Sequence, residues 1–92
     1  MFRDTILHIQ PPVTGLSELV IAFHAPTRMP AVATFQVQTF SQVMEFTLRA
    51  LREQPAMLVL VETPGCGRDL IEELRRHGFA VVAIEPAHLN RT

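Results

Sequence analysis

The residue of this chain best placed to do chemistry is Glu62, the carboxylate that ends the apolar run at 57–61. A short turn follows it directly, and then a segment with the pattern of a helix. A strand that ends on an acid and turns straight into a helix places a polar group at the carboxyl edge of an α/β sheet, where such folds bind ligands. The alternative is a solvated carboxylate that faces the N-terminal amides of the next helix.

The turn after Glu62, residues 63–68, offers two further kinds of chemistry. Free amides at the start of the following helix can hold an anion, but the segment lacks the lysine and the spacing of a P-loop. Cys66 would be a nucleophile if the helix and Arg68 lowered its pKa, although the sequence places no histidine beside it. The competing interpretation is a tight β–α turn that carries an incidental cysteine.

The histidines and arginines form weaker patterns. His8 and His24 lie in or beside predicted strands and could face each other as a zinc pair, although ordinary strand histidines are the simpler interpretation. The arginines of the predicted helices could contact nucleic acid, but glutamates are interleaved with them, which favours a solvated helix face. The candidates for nucleic-acid contact are Arg49, Arg52, Arg68 and Arg75, with Arg76 and Arg91 as further members of the set.

The composition limits the classes of function. A chain of 92 residues, 48% of them hydrophobic, predicts one ordered domain that spans residues 1–92. Eight arginines, no lysine and a net charge of −1 argue against strong binding to phosphate backbones. A single cysteine fits a reducing cytosol, and the longest apolar run, 56–61, is too short to span a bilayer. We therefore expect a cytoplasmic protein with no membrane partner.

The apolar patterns predict five strands and two helices. The strands are expected at 5–10, 19–23, 34–38, 57–61 and 79–84, and the helices at 40–53 and about 67–77. The second strand is nearly all apolar, which predicts that both of its faces are covered. The third strand alternates between polar and apolar residues, as a half-exposed strand does.

Local signals mark the helix ends. Thr39 and Gln42 have the spacing of a capping box at the start of the first helix. Gly78 stands where a left-handed residue would end the second helix. Glu72 and Arg76 are spaced to form an i,i+4 ion pair on that helix.

The resulting order is β-β-β-α-β-α-β. Three strands joined by loops predict an antiparallel meander, and the helix-linked strands then add in parallel through right-handed crossovers. The expected fold class is α/β, a mixed sheet with helices packed on it, and its strand order resembles that of the RNase H-like fold. In that fold an acid of the first strand and the acid that ends the fourth strand lie side by side in the middle of the sheet.

With this order in place, the segment Leu-Val-Leu-Val-Glu-Thr-Pro-Gly at 58–65 resembles the fourth-strand motif of insertion-sequence transposases with a RuvC-like DEDD domain. The family's pattern is an apolar run, a Glu, a Thr or small residue, and glycines, followed by a helix that carries leucine. Residues 70–89 are similar to the family's next segment, and Phe35, Phe40 and 48–52 resemble its third strand and first helix. The likeness covers most of the chain and is specific only from the fourth strand onwards.

The resemblance implies a site of four carboxylates for divalent cations, usually Mg²⁺, in which Glu62 would be the second acid. Gln10 stands nearest to the first acid, and a neutral amide is a poor anchor for a hard cation. The last two acids lie in a C-terminal region of the family beyond residue 92. The family's aromatic residue in the turn is also missing, since Cys66, Gly67 and Arg68 stand there. Two-metal phosphoryl transfer needs several carboxylates to hold ions roughly 4 Å apart, which one carboxylate cannot do.

We therefore expect a transposase-derived domain, of DNA-recombination ancestry, that is not an enzyme on its own. Glu62 would be a vestigial metal ligand, nucleic-acid binding would be weak, and Mg²⁺ would bind only if another chain completed the site. The alternative is a small α/β interaction module, a homodimer that uses an apolar face or the edge strand at 34–39, and a small-ligand sensor is a third. The transposase hypothesis predicts that Gln10 lies within a few ångströms of Glu62.

Overall fold

The structure, a computed structural model, describes residues 4–13 and 17–85. Its elements are β1 (Ile6–Gln10), β2 (Glu18–His24), β3 (Ala31–Gln36), α1 (Phe40–Glu53), β4 (Leu58–Glu62), α2 (Gly67–Arg76) and β5 (Val81–Ile84). The predicted succession of strands and helices is confirmed. In the part of the chain described, neither helix has the length and apolar character needed to cross a membrane.

The strands form one mixed sheet in the order β3-β2-β1-β4-β5. β1, β2 and β3 pair antiparallel, as short loops between successive strands allow. β4 pairs parallel with β1, and β5 parallel with β4, through connections that contain α1 and α2. β1 therefore lies in the centre of the sheet, between the antiparallel half and the parallel half.

The two faces of this sheet are covered differently. Both helical connections run in the same direction across the sheet, so right-handed crossovers place α1 and α2 on the same face. On β1 the side chains of Leu7 and Ile9 point to that covered face and are fully buried. Successive strand residues point to opposite sides, so Ile6, His8 and Gln10 point to the other side, which we call the open face.

The core lies between the covered face and the helices. Its fully buried strand residues come from the three central strands and are Leu7, Ile9, Leu19, Ile21, Val59 and Val61. From the helices, α1 contributes Val43, Thr47, Ala50 and Leu51, and α2 contributes Leu70, Ile71 and Leu74. On α1, Phe46 is half-buried and stacks on Phe35 of β3 with 4.7 Å between ring centroids.

Local capping explains why α1 begins and α2 ends where predicted. The Thr39 hydroxyl accepts from the Gln42 backbone N–H, and the Gln42 side chain accepts from the Thr39 backbone N–H, which completes the predicted capping box. At the end of α2, Gly78 has a φ of 93°. The N–H groups of Gly78 and Phe79 donate to the carbonyls of Arg75 and Leu74, the pattern of a Schellman motif.

The prediction that β2 is covered on both faces is wrong for the described residues. Leu19 and Ile21 are fully buried, but Val20 and Ala22, which point to the open face, are only half-buried. A nearly continuous apolar strand does not reveal how many layers cover it, because that depends on the direction of crossovers elsewhere in the chain.

Strand bounds also differ from the predicted ones. β3 spans Ala31–Gln36 rather than 34–38, because the chain turns inward after it. The Val37 N–H donates to the Ser17 carbonyl, and the Val37 side chain is only 3% exposed. β5 begins at Val81 rather than at residue 79, since Phe79 belongs to the cap of α2.

The predicted ion pair between Glu72 and Arg76 is wrong as well. The Arg76 guanidinium pairs instead with Glu73, one turn back at i,i+3. Both spacings bring side chains together on a helix surface, so the sequence pattern alone cannot choose between two adjacent glutamates.

Candidate functional site

A polar cluster lies at the middle of the open face, where β1 and β4 run side by side. Ile9 is the register partner of Val61, so the next residues along these parallel strands, Gln10 and Glu62, are neighbours. The Gln10 Nε2 donates to Glu62 Oε2 over 3.0 Å. The expected proximity of Gln10 to Glu62 is therefore confirmed.

His8 completes this cluster, which we call the trio: His8, Gln10 and Glu62. The His8 Nε2 lies 3.0 Å from Glu62 Oε2, and since an ionised carboxylate can only accept, the imidazole N–H is the donor. The side chains of His8 and Glu62 are 29% and 16% exposed, so the contact is half-shielded from water. One carboxylate oxygen thus accepts two hydrogen bonds from β1.

The sequence did not indicate the contact between His8 and Glu62. The sequence offers His8 and His24 as a zinc pair, but their register partners are Ala22 and Ile6, so the two histidines are not opposite each other. The contact could have been found from the alternation of side chains along a strand. His8 and Gln10 are two apart on one strand and share a face, and Glu62 joins them once β1 and β4 are known to be parallel neighbours.

The trio has the parts of an acid–base pair without the rest of a catalytic site. A carboxylate that accepts from one imidazole nitrogen leaves the other nitrogen able to exchange a proton with a bound molecule. The trio itself contains no hydroxyl or thiol. Its contacts support hydrogen bonding and proton exchange at the surface of the sheet.

The trio does not fit the divalent cations that the resemblance implies. Mg²⁺ prefers anionic oxygen ligands, and the trio supplies a single carboxylate, Glu62, whose Oε2 already accepts two hydrogen bonds. Across residues 4–13 and 17–85, no three or more His, Cys, Asp or Glu side chains are grouped so that they could hold a metal ion. We derive no metal-dependent step from this site.

The turn between β4 and α2 is built by close backbone approach. Gly65 has a φ of 67°, and a methyl group added to it would overlap the Pro12 carbonyl oxygen. A methyl group added to Gly67 would overlap the carbonyl oxygen of Glu62. Both glycines are therefore needed to bring α2 back over the sheet immediately after Glu62, which favours the tight-turn interpretation of this segment.

Cys66 in this turn is not activated. Burial raises the pKa of the Cys66 thiol, and the carboxylate of Asp69 adds to the increase. The incidental-cysteine interpretation is therefore favoured over the nucleophile, because the thiol is half-buried against a cleft of about 200 Å³ whose lining includes Val37, Phe40 and Val43. A buried thiol with a raised pKa is a poor nucleophile at neutral pH.

Glu85 is a second acid that the sequence did not single out. Thr63 Oγ1 donates to Glu85 Oε1 over 3.0 Å, and Arg68 Nη2 donates to Glu85 Oε2 over 2.9 Å. These bonds join the residue after β5 to both ends of the β4–α2 turn. Because the charge of Arg68 is paired with Glu85, the turn gains little of the positive potential that an anion site requires.

The candidate nucleic-acid residues are divided between the two helices. Arg49 on α1 pairs with Glu45 at 3.1 Å and lies over the Phe46 ring, 5.6 Å from its centroid. Arg75 on α2 donates to the Val81 carbonyl over 2.9 Å, and Arg52 is exposed on α1. With Arg68 on Glu85, three of the four candidates have partners within the chain. Arg91 and His88, like the family-like segment at 86–89, lie outside the described residues.

No family model, curated protein or solved structure matches this chain.

Proposed function

We propose that this chain is an RNase H-like domain of transposase ancestry that does not catalyse phosphoryl transfer on its own. The observation that carries the proposal is the 3.0 Å hydrogen bond from Gln10 at the end of β1 to Glu62 at the end of β4. In the family that the sequence resembles, acids stand at these two places. In this chain an amide stands at the first and donates to the acid at the second.

The sheet topology supports the RNase H-like assignment. An antiparallel meander forms β1 to β3, β4 adds in parallel beside β1, and β5 adds beside β4. This order places the ends of the first and fourth strands next to each other, as the RNase H-like interpretation requires. The strand order and the hydrogen bond from Gln10 to Glu62 both concern β1 and β4. An active relative would build its metal site on these two strands.

The charge of the trio supports the non-catalytic part of the proposal. Two cations roughly 4 Å apart need several carboxylates, and Glu62 is the one carboxylate of the trio. A second chain that contributed carboxylates at this edge could complete a Mg²⁺ site. On its own, the chain would use Glu62 as a hydrogen-bond acceptor between two strands.

Nucleic-acid binding is the weaker part of the proposal. Three of the four candidate arginines have partners inside the chain, and the net charge of −1 provides no general attraction to phosphate. We expect binding that is weak and lost with added salt, with Arg52 as its main contributor.

The experiment that tests this function is a titration of labelled duplex DNA and labelled structured RNA with the purified chain, with and without Mg²⁺. We expect no cleavage, and weak binding that Arg52→Ala lowers further. The adjacent Glu53→Ala, which removes the opposite charge, is the matched control and should not weaken binding. Mg²⁺-dependent cleavage by the wild-type chain that disappears in Glu62→Gln would contradict the proposal.

A second candidate function is protein interaction, and the open face favours it. Val32 on β3 is 65% exposed and Val82 on β5 is 43% exposed, and both point to this face. Half-buried aliphatic side chains of the central strands lie between them. An apolar surface that the described helices leave uncovered is typical of interaction sites.

A further inference from the structure

We propose that the trio is a binding site for the guanidinium group of an arginine that a partner protein presents from an apolar surface. The proposal rests on the second candidate function, protein interaction, and names the chemistry that selects the partner. It needs neither nucleic-acid binding nor a metal, so it can fail or succeed independently of the RNase H-like assignment.

The charges of the open face select a cationic partner. Apart from histidines, the described strands carry two ionisable side chains, Glu18 and Glu62, and both are acids. Both point to the open face, because Leu19 and Val61, the residues next to them along the strands, are buried on the covered face. A second copy would bring the same two acids to the contact, and a phosphate backbone would bring further negative charge. Charge complementarity therefore favours a cation.

The trio offers several hydrogen-bond acceptors to such a cation. Glu62 Oε2 accepts from His8 Nε2 and from Gln10 Nε2, each over 3.0 Å. Among the described residues these bonds leave three acceptors without a partner, which are Glu62 Oε1, the Gln10 amide oxygen and, in neutral His8, the Nδ1 nitrogen. A guanidinium carries five N–H donors in a planar fork, so it is the side-chain cation best able to serve several acceptors at once.

Aliphatic side chains surround the trio on the open face. His8 lies between its register partners Leu60 on β4 and Ala22 on β2, and Glu62 has Ile84 of β5 as its register partner. The Glu62 side chain is 16% exposed. A cation that approaches this carboxylate is partly shielded from water, so the attraction is stronger than at a fully solvated acid.

These surroundings favour an arginine held in an apolar protein surface. A guanidinium is more weakly hydrated than an ammonium, so it loses less hydration than lysine does beside a half-buried carboxylate. The aliphatic part of the arginine can pack on Leu60 and Ile84 while its charged end reaches Glu62. Aliphatic residues also continue to the outer strands of the face, at Val32 and Val82, beyond the reach of one side chain. A protein surface around the arginine would cover them.

The test is an NMR titration of the isotope-labelled chain with two small probes at constant ionic strength. Butylguanidinium reproduces an arginine from its Cα outward, and butylurea is its neutral isostere. We expect butylguanidinium to shift the Gln10 side-chain amide and the backbone amides of β1 and β4 saturably at millimolar concentration. It should bind at least about fivefold more tightly than butylurea, and more tightly than butylammonium.

A pair of variants locates the contact. Glu62→Gln should weaken butylguanidinium binding about tenfold, because it replaces a charged acceptor with a neutral one. Glu18→Gln is the matched control, since Glu18 is also an open-face carboxylate that accepts from a glutamine amide, that of Gln36, over 3.5 Å. Glu18 is exposed, so its removal should change binding by less than about twofold. Circular dichroism establishes that both variants are folded, and the comparison of probes on the wild-type chain does not depend on either.

The outcomes separate this proposal from the function on which it rests. Equal binding of butylguanidinium and butylurea would overturn the proposal and leave the open face as an apolar interaction surface. An open face that responds to neither probe would contradict the protein-interaction function as well. Equal effects of Glu62→Gln and Glu18→Gln would overturn the assignment to the trio, and tighter binding of butylammonium would overturn the choice of arginine.

Discussion

On β1, Leu7 and Ile9 are fully buried under the helices, whereas Ile6 and His8, from the same strand, lie half-buried on the open face. Apolar side chains alone form the covered side of this strand, and packing there is tight. The open side combines aliphatic residues with a hydrogen-bonded polar cluster. The two sides of one strand therefore differ in character: the covered side packs against the helices, and the open side carries a hydrogen-bonded polar cluster.

The difference between the faces follows from chain direction. Both helical connections cross the sheet in the same sense, so both helices are placed on one side. The composition of β1 and β4 alone does not determine which side of the sheet the helices cover. The covered and open faces should therefore differ sharply when the same substitution is made on each.

The largest contrast is expected between two isoleucines of β1. Ile9→Ala removes a fully buried side chain and leaves a cavity, which should lower the free energy of unfolding by about 3 kcal/mol. Ile6→Ala, on the open face, should lower it by about 1 kcal/mol. Urea unfolding measures both. Equal losses would mean that the two faces are packed alike.

A smaller contrast is expected between two glycines at the ends of α2. Gly67→Ala forces a methyl group onto the Glu62 carbonyl and should lower the free energy of unfolding by about 3 kcal/mol. Gly78→Ala meets no atom within 4 Å, so only its φ of 93° opposes the change, at a cost of about 1 kcal/mol. Thermal unfolding compares them. A larger loss for Gly78→Ala would show that the turn after Glu62 is not tightly packed.

A substitution at a buried threonine should stabilise the protein, unlike the substitutions above, whereas the same substitution at an exposed threonine should have almost no effect. Within residues 4–13 and 17–85, Thr47 Oγ1 is buried under the covered face without a hydrogen-bond partner. Thr47→Val keeps the shape and removes the unsatisfied hydroxyl, so it should stabilise the protein by about 1 kcal/mol. Thr34→Val, exposed on the open face, should change stability by less than about 0.5 kcal/mol. A destabilised Thr47→Val variant would reveal a partner for that hydroxyl.

The smallest effect concerns thiol reactivity. Because burial raises the pKa of Cys66, its thiolate fraction at neutral pH is below that of an exposed cysteine. Iodoacetamide should therefore modify Cys66 more slowly than a cysteine introduced by Val82→Cys in a Cys66→Ser background, and the Cys66 rate should keep rising with pH above the ordinary thiol range. Faster reaction of Cys66 would indicate an activated thiol after all.

Features coded within a few residues were predictable from the sequence. The bounds of α1 agree because Thr39 and Gln42 form a local capping box, and the end of α2 was marked by Gly78, although the helix stops at Arg76. The exposure of β2 on one side was not predictable, because it depends on crossovers that lie elsewhere in the chain.

The candidate site was predictable only in part. The proximity of Gln10 to Glu62 was expected from the strand order, since both residues end neighbouring strands. The contact between His8 and Glu62 was missed because it depends on strand register across 54 residues of sequence separation. Local periodicity carries no information about register between strands so far apart.

The most direct test of the central claim is Mn²⁺ binding by calorimetry to the wild-type chain and to Gln10→Asp. If Gln10 stands where an active relative has its first acid, the substitution places two carboxylates side by side at the ends of β1 and β4. We then expect Mn²⁺ binding in Gln10→Asp that is absent in the wild type and in the control Thr34→Asp, which points to the same face from β3 and has the apolar Val20 as its register partner. A folded Gln10→Asp that binds no more Mn²⁺ than Thr34→Asp would contradict the account.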